Sequence, residues 1–193
     1  MDIYLIRHGK TAATEQQLYC GQTDLPLSEE GALSIAGLKR QGAYPKDAQL
    51  YFTSGFLRAE QTLNIICGPV SRTALPELAE YNFGRFEMKS HEELNGQDGY
   101  QAWINDQTGL VACPRGESKQ QFEQRVFAGY QLLVSKSQGV GTVLAVCHGG
   151  VITCVMAHLF PDAHKNFYEW HPEPGHGYKL TYNAQEACQY KKI

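Results

Sequence analysis

The sequence predicts an α/β fold: a three-layer α/β/α sandwich with a largely parallel central sheet and a small irregular or helical cap. Three observations carry that prediction. Short apolar runs rich in β-branched and aromatic residues recur at Ile3 to Ile6, Gln49 to Thr53 and Thr142 to Cys147. Each is followed, after a turn or loop, by a stretch whose apolar residues keep helical spacing. Polar residues and glycines mark each strand end, at Arg7-His8-Gly9, Ser54-Gly55 and His148-Gly149-Gly150. Strands alternating with helices give a parallel sheet covered on both faces.

Taken in order, the first strand runs into Arg7-His8-Gly9, and a polar loop continues through Gln22-Thr23-Asp24. Ser28 is placed to N-cap a helix from about Glu29 to Gln41, with Ala32, Ile35 and Ala36 on one face. The second strand leads to a helix over Leu57 to Cys67, where Leu63, Ile66 and Cys67 keep helical spacing. Residues 71–116 are the least regular, broken by Pro76, Gly84, Gly96, Gly99, Gly109, Pro114 and Gly116. They read as a cap, inserted at about 81–115 into a single domain spanning 1–193. Ser118 and Gln121 form a capping box that opens a long helix to about Ser137. Phe122, Val126, Tyr130 and Leu133 are its buried stripe. The strand Thr142 to Cys147 delivers His148-Gly149-Gly150 to an apolar helix, Val151 to Phe160. Tyr178 to Tyr182 and Ala187 to Lys191 read as a closing hairpin.

Composition narrows the function. The chain has 193 residues, 42% hydrophobic and 19% charged, with a formal net charge of −3. There is no basic excess to hold a polyanion, so no nucleic acid partner is expected. A site for a small anion must be a local cluster of cations and N–H donors. No run reaches the ~18 apolar residues of a membrane span, and Met1 to Ile6 lacks the basic start and length of a signal peptide. The six cysteines (Cys20, Cys67, Cys113, Cys147, Cys154 and Cys188) are scattered, with no CxxC pair. They read as reduced thiols rather than a disulfide framework or a zinc cage. These features point to a cytoplasmic protein.

In open α/β sheets, ligands bind beyond the carboxyl ends of the strands. Arg7, His8, Arg58 and His148 all fall there. Two guanidiniums and two imidazoles repel one another when buried without a partner. An arginine fork matches phosphate oxygens in pairs, so a dianionic phosphoryl group turns that repulsion into attraction. Singly, each residue has a plainer reading: Arg58 as half of a salt bridge, His148 as a satisfied structural group. Their convergence favours the anion.

Leu5-Ile6-Arg7-His8-Gly9 resembles the signature of the histidine phosphatase (phosphoglycerate mutase-like) superfamily. Further segments follow in that family's order: Tyr19-Cys20-Gly21 through Leu27-Ser28-Glu29-Glu30-Gly31, then Thr53 through Thr62 around Arg58. Leu78-Ala79-Glu80-Tyr81-Asn82-Phe83-Gly84, Gly116-Glu117-Ser118 and Val146-Cys147-His148-Gly149-Gly150 complete the series, which covers residue 3 to about 155. The resemblance implies hydrolysis of a small-molecule phosphate monoester through a phosphohistidine on His8. It implies that Arg7, Arg58 and His148 hold the phosphoryl oxygens, with Thr14, Gly21 and Gly149 adding to phosphate binding. Gly9 and Gly149 then let backbone approach the phosphate. Glu80 is the implied general acid, ranked above Glu77 and Glu87, each of which reads equally as a solvated surface carboxylate. No metal and no cofactor is implied, and no P-loop motif occurs.

Within that family the short chain and the Phe83-Gly84-Arg85-Phe86-Glu87 run resemble the α-ribazole phosphatases, which implies α-ribazole 5′-phosphate as substrate. Sugar phosphates, phosphoglycerates and nucleotides stay open. So do mutase-type phosphoryl transfer and a non-catalytic phosphate-binding module. Lys10, Thr14 and Arg115 depart from the family's usual residues, with Lys10 and Arg115 adding positive charge. Gly116-Glu117-Ser118 lacks the last glycine and the preceding strand of a serine-hydrolase elbow, so Ser118 reads as a cap. The pairs His158 with His164 and His171 with His176 lack metal-ligand spacing and read as structural or surface groups. Phe86, Tyr100 and Trp103 read first as packing, with stacking on a ring-bearing substrate as the alternative.

Overall fold

One mixed sheet of six strands organises the chain, in the order β3-β2-β4-β1-β5-β6. The computed structural model describes residues 1–183 and 186–193. The strands are β1 (Asp2–Arg7), β2 (Leu50–Thr53), β3 (Thr73–Ala74), β4 (Thr142–Cys147), β5 (Gly177–Asn183) and β6 (Glu186–Lys192). The first four run parallel, β5 is antiparallel to β1, and β6 is antiparallel to β5. The architecture is therefore the expected sandwich with a mostly parallel sheet.

Alternation along the two central strands builds the core. Ile3 and Leu5 of β1, with Val143, Ala145 and Cys147 of β4, face one side, while Ile6, Leu144 and Val146 face the other. Helices cover both faces. On the second side lie α2 (Glu29–Arg40) and α3 (Leu57–Cys67), which bring Ile35, Ala59, Leu63 and Ile66. On the first lie α6 (Lys119–Lys136) and α7 (Gly149–Leu159), with Phe122, Val126, Leu133, Ile152 and Val155. Short helices fill the connections: α1 (Ala12–Glu15), α4 (His91–Leu94), α5 (Asp98–Ile104) and α8 (Phe167–Trp170).

The expected caps are present. The Ser28 hydroxyl accepts from the Gly31 amide, and Ser118 with Gln121 closes a full capping box at α6. That bond occupies the Ser118 oxygen inside the fold and removes it as a nucleophile. Three elements differ from the sequence reading. The polar loop after β1 holds α1, started by a Thr11–Thr14 capping box. The segment read as irregular contributes β3, which pairs with β2. And α7 begins at Gly149 rather than Val151, because His148 itself takes the extended N-cap position.

The segment 81–115 packs inward through its rings. Phe86 and Tyr100 are buried, and Trp103 donates from its indole nitrogen to the Tyr81 hydroxyl at 3.1 Å. Tyr100 is closed in further by Tyr19 and His91, whose polar atoms each lie 2.6 Å from its hydroxyl. Phe86 and Tyr100 are thus packing groups. Among the described residues no helix is long and apolar enough to cross a membrane.

Leu133 is fully buried between α6 and the sheet. Leu133→Ala is expected to destabilise the protein by about 2–5 kcal/mol, the range for emptying a well-packed leucine site. The check is a lowered urea midpoint at unchanged m-value; a loss below about 1 kcal/mol contradicts this core.

Candidate active site

The parallel register sets the site. Arg7 pairs with Cys147, and Thr53 pairs with Val146, so the strand ends of β1, β2 and β4 are level. The next residues, His8, Ser54 and His148, emerge side by side. The chain between β1 and β2 skips the place that β4 fills, and a crevice opens where such a skip occurs.

His8 is held by two backbone carbonyls and by the anchoring of the residue after it. Its amide donates to the Cys147 carbonyl at 3.0 Å, and the following Gly9 amide donates to the Thr62 hydroxyl at 3.0 Å. Its ring Nδ1 donates to the Gly9 carbonyl at 2.7 Å. A carbonyl can only accept, so the ring proton is on Nδ1 and Nε2 carries a free lone pair. Burial, then Arg58 and Arg7, hold the His8 pKa well below its usual 6.5, although the Gly9 bond opposes this. The ring is neutral at pH 7.

His148 stands edge-on to His8, with ring centroids 5.1 Å apart, and is fully buried. Its Nε2 lies 2.8 Å from the Ser54 hydroxyl. Burial, followed by Arg58, His8 and Arg7, keeps this ring neutral as well.

The two arginines are fixed by carbonyls. Arg58, on the first turn of α3, donates to the Gly21 carbonyl at 2.7 Å and the Thr23 carbonyl at 2.9 Å. Its guanidinium lies over the Phe56 ring at 4.6 Å. Arg7 donates through Nη1 to the Pro172 carbonyl at 2.8 Å and to His171 Nε2 at 3.1 Å. Among the described residues four buried side-chain polar atoms lack a hydrogen-bond partner, and three of them belong here: Arg7 Nε, Arg58 Nε and His148 Nδ1. Unpaired buried donors are rare in folded proteins and mark places where a further acceptor fits.

Glu80 completes the ring of charge. One carboxylate oxygen accepts from the Gly150 amide in the first turn of α7 at 2.9 Å, the other from the Tyr81 amide at 2.9 Å. A β-carbon on Gly150 would sit 2.4 Å from that carboxylate, so a larger residue there would displace it. A cavity of about 170 Å³ opens here, lined by Arg7, His8, Thr11, Thr14, Gln17, Leu18, Cys20, Arg58 and Glu80. The His148 ring, fully buried, stands beside His8.

Several expected roles change. Glu87 is no surface carboxylate: it accepts from the Gly21, Gln22 and Thr23 amides and the Thr23 hydroxyl at 2.7–3.1 Å, and from the Phe83 amide at 3.3 Å. It staples the 21–23 loop whose carbonyls hold Arg58. Gly21 therefore serves through its carbonyl on Arg58, its own N–H being taken by Glu87. Thr14 lines the cavity, but its hydroxyl is engaged with Thr11 at 3.1 Å. Gly9 makes room for Ile35, Leu27 and the Gly31 carbonyl, and Gly149 makes room for the His171 ring. Lys10 pairs with Glu30 at 2.5 Å on the surface, and Arg115 is exposed.

Sequence reasoning passed over two braces. Arg125 of α6 donates to the carbonyls of Glu77, Ala79 and Glu80 and pairs with Glu117 at 2.6 Å. Glu117 also accepts from the Asn82 amide at 2.7 Å. Together they fix the loop that carries Glu80. The other brace is His171, read as structural or surface, which touches Arg7. His158 lies tilted against Phe127 with centroids 3.8 Å apart, and His176 meets the Ile193 carbonyl. Among the described residues no cluster of three His, Cys, Asp or Glu side chains could hold a metal ion. Cys20, Cys67, Cys113, Cys147 and Cys154 are free thiols, while Cys188 lies outside the residues whose side chains are described.

A neutral imidazole with its lone pair free, two guanidiniums and a carboxylate surround one cavity, an arrangement whose charge and donors suit a phosphoryl group. The chain belongs to the histidine phosphatase superfamily (branch 1), whose family model matches residues 3–191, and it is a phosphatase. It is 33% identical to the adenosylcobalamin/α-ribazole phosphatase of Escherichia coli, over 82% of this chain and 79% of that protein. The α-ribazole phosphatase structure from Shigella flexneri superposes with a TM-score of 0.83 at 28% identity, covering 97% of this chain and 93% of that one. A phosphoglycerate mutase of Xanthobacter autotrophicus is 27% identical over 81% of this chain and 80% of its own.

Two outcomes follow from this geometry. Glu87→Ala is expected to free the 21–23 loop and loosen Arg58, lowering kcat/KM for p-nitrophenyl phosphate about tenfold to a hundredfold; unchanged kinetics would show that the loop holds Arg58 alone. The second concerns acid. His8, His148 and His171 all have folded pKa values below 6.5, that of His171 at about 4. As pH falls through 6.5 the unfolded chain takes up protons that the folded protein refuses, so the stability these neutral rings contribute is present above 6.5 and lost below it. Urea midpoints should therefore drop between pH 7 and pH 5 by more than one titrating group explains; a flat profile contradicts buried neutral rings.

Proposed function

We propose that this chain hydrolyses a small phosphate monoester through a phosphohistidine on His8, with α-ribazole 5′-phosphate as substrate. The observation that carries the mechanism is the free Nε2 of His8 among three buried donors without partners, Arg7 Nε, Arg58 Nε and His148 Nδ1. Arg7 and Arg58 bind the phosphoryl oxygens as bidentate forks and offset their charge. Ser54 donates to His148 Nε2, which leaves a proton on Nδ1 to stabilise the transferring group. Nε2 of His8 attacks phosphorus as the ester oxygen leaves, and Glu80, entering this step as the carboxylic acid, gives its proton to that oxygen and becomes the carboxylate. The Glu80 carboxylate then takes a proton from water as it attacks the phosphohistidine, and phosphate departs.

The names of the Escherichia coli and Shigella flexneri relatives support this substrate, and the former also names adenosylcobalamin. Exposed Phe167 and Tyr168 near the site suit a ring-bearing leaving group. A net charge of −3 suits a small anion rather than a nucleic acid, and the free thiols suit the cytoplasm. The mutase reading has the Xanthobacter autotrophicus relative in its favour.

His8→Ala is expected to reduce phosphate release from p-nitrophenyl phosphate to background, and Glu80→Gln to lower kcat about 10²–10⁴-fold. Substrate choice is read from kcat/KM for α-ribazole 5′-phosphate against 3-phosphoglycerate and sugar phosphates. Interconversion of phosphoglycerates primed by a bisphosphate would replace the phosphatase mechanism with the mutase one. Activity lost on chelation with EDTA would overturn the metal-free route.

A further inference from the structure

His171 sits against Arg7 in a way that depends on its protonation. Arg7 Nη1 lies 3.1 Å from His171 Nε2. A guanidinium has only protons to give, so this nitrogen must be bare and the ring proton must be on Nδ1. Nδ1 lies 3.4 Å from the Thr153 hydroxyl, which donates to the Gly149 carbonyl at 2.9 Å. The ring is wedged in place. A β-carbon on Gly149 would lie 2.4 Å from His171 Cε1, and Phe167 stacks on the other side with centroids 5.6 Å apart at 28°. His171 does not line the cavity.

We propose that His171 is a positioning residue: a neutral imidazole that accepts a hydrogen bond from Arg7 and so holds the guanidinium in register with the phosphoryl group. The proposal rests on Arg7 binding that group, as read above. A packing residue would need only the ring's shape, whereas this role needs an acceptor at Nε2. Protonation would turn the acceptor into a donor facing a cation. The charged groups that face the ring are Arg7 from β1 and Glu173 from the following loop; Thr153, Gly149 and Phe167 bring no charge. Burial, followed by Arg7, pushes the ring down to about 4, with Glu173 opposing, so the acceptor form prevails at neutral pH.

The test separates shape from acceptor. His171→Leu keeps bulk without an acceptor, and His171→Gln restores an amide oxygen at the reach of Nε2. With p-nitrophenyl phosphate at pH 7, His171→Leu is expected to lose about tenfold to a hundredfold in kcat/KM, with inhibition by inorganic phosphate weakened in parallel. His171→Gln is expected to recover most of that loss. In an Arg7→Ala background, His171→Leu should add no further loss, because the group it positions is gone. Should His171→Leu not fold, His171→Ala takes its place. Equal activity of the Gln and Leu variants, or full additivity with Arg7→Ala, overturns the proposal. Arg7→Ala with unchanged phosphate inhibition would instead overturn the reading of Arg7 on which it stands.

Discussion

The level register of three parallel strands is the constraint on which the site depends. Because Arg7 pairs with Cys147 and Thr53 with Val146, the residues that follow cannot avoid one another. A one-residue slip would turn every side chain of the strand to the other face, so the alternating core of Ile3, Leu5, Val143 and Ala145 against Ile6, Leu144 and Val146 locks that register. Hydrophobic burial is thus what forces His8 beside His148, and the Arg7 and Arg58 guanidiniums close to both. The cost is electrostatic: two cations and two imidazoles share a poorly solvated space. The fold lowers that cost by keeping both rings neutral and by setting the Glu80 carboxylate nearby.

The braces explain how flexible chain can hold a rigid cluster. Arg58 is aimed by carbonyls of the 21–23 loop, and that loop is aimed by Glu87. Glu80 is aimed by the first turn of α7, and its loop by Arg125 and Glu117. In both cases a charged side chain collects several backbone groups. Bonds of that kind are the stronger hydrogen bonds, and they order loops that apolar packing does not reach. The Gly116-Glu117-Ser118 motif is read physically in the same way. Gly116 lets the chain pass close to the Asn82 carbonyl, Glu117 joins Asn82 to Arg125, and Ser118 starts α6.

The sequence reveals what local pattern encodes. Strand alternation, the caps at Ser28 and Ser118, and the strand-end placement of Arg7, His8 and His148 all leave a trace within a few residues. Glu87 leaves only its place at the end of the Phe83-to-Glu87 run, since most of its partners lie about 65 positions away. Gly21 and Gly149 are legible as glycines but not as to what they admit, because the crowding group is the Tyr81 carbonyl in one case and His171 in the other. His171 had a signal that topology supplies. β5 is antiparallel to β1, and Gly177 pairs with Ile6, so whatever precedes Gly177 must pass over Arg7. The His176 carbonyl and the Gly175 amide do bond the Arg7 backbone there, at 2.9 and 3.0 Å. Placing the hairpin beside β1 would have led to His171.

One electrostatic arrangement serves both parts of the reaction proposed for this site. A nucleophilic imidazole must be unprotonated, and a phosphate site must be cationic. Those demands agree, because the cations that bind the anion also drive the proton off His8. The Gly9 carbonyl then decides which nitrogen keeps the remaining proton, and so which one faces the cavity. Once a dianion is bound, the same ring feels less positive charge and grows more basic as the new bond to phosphorus forms. The increase in positive charge on the ring during attack is met by the phosphoryl oxygens beside it, and both guanidiniums remain paired throughout. Without those arginines the ring would protonate more readily and the anion would bind less well, so the two functions of the cluster would fail together.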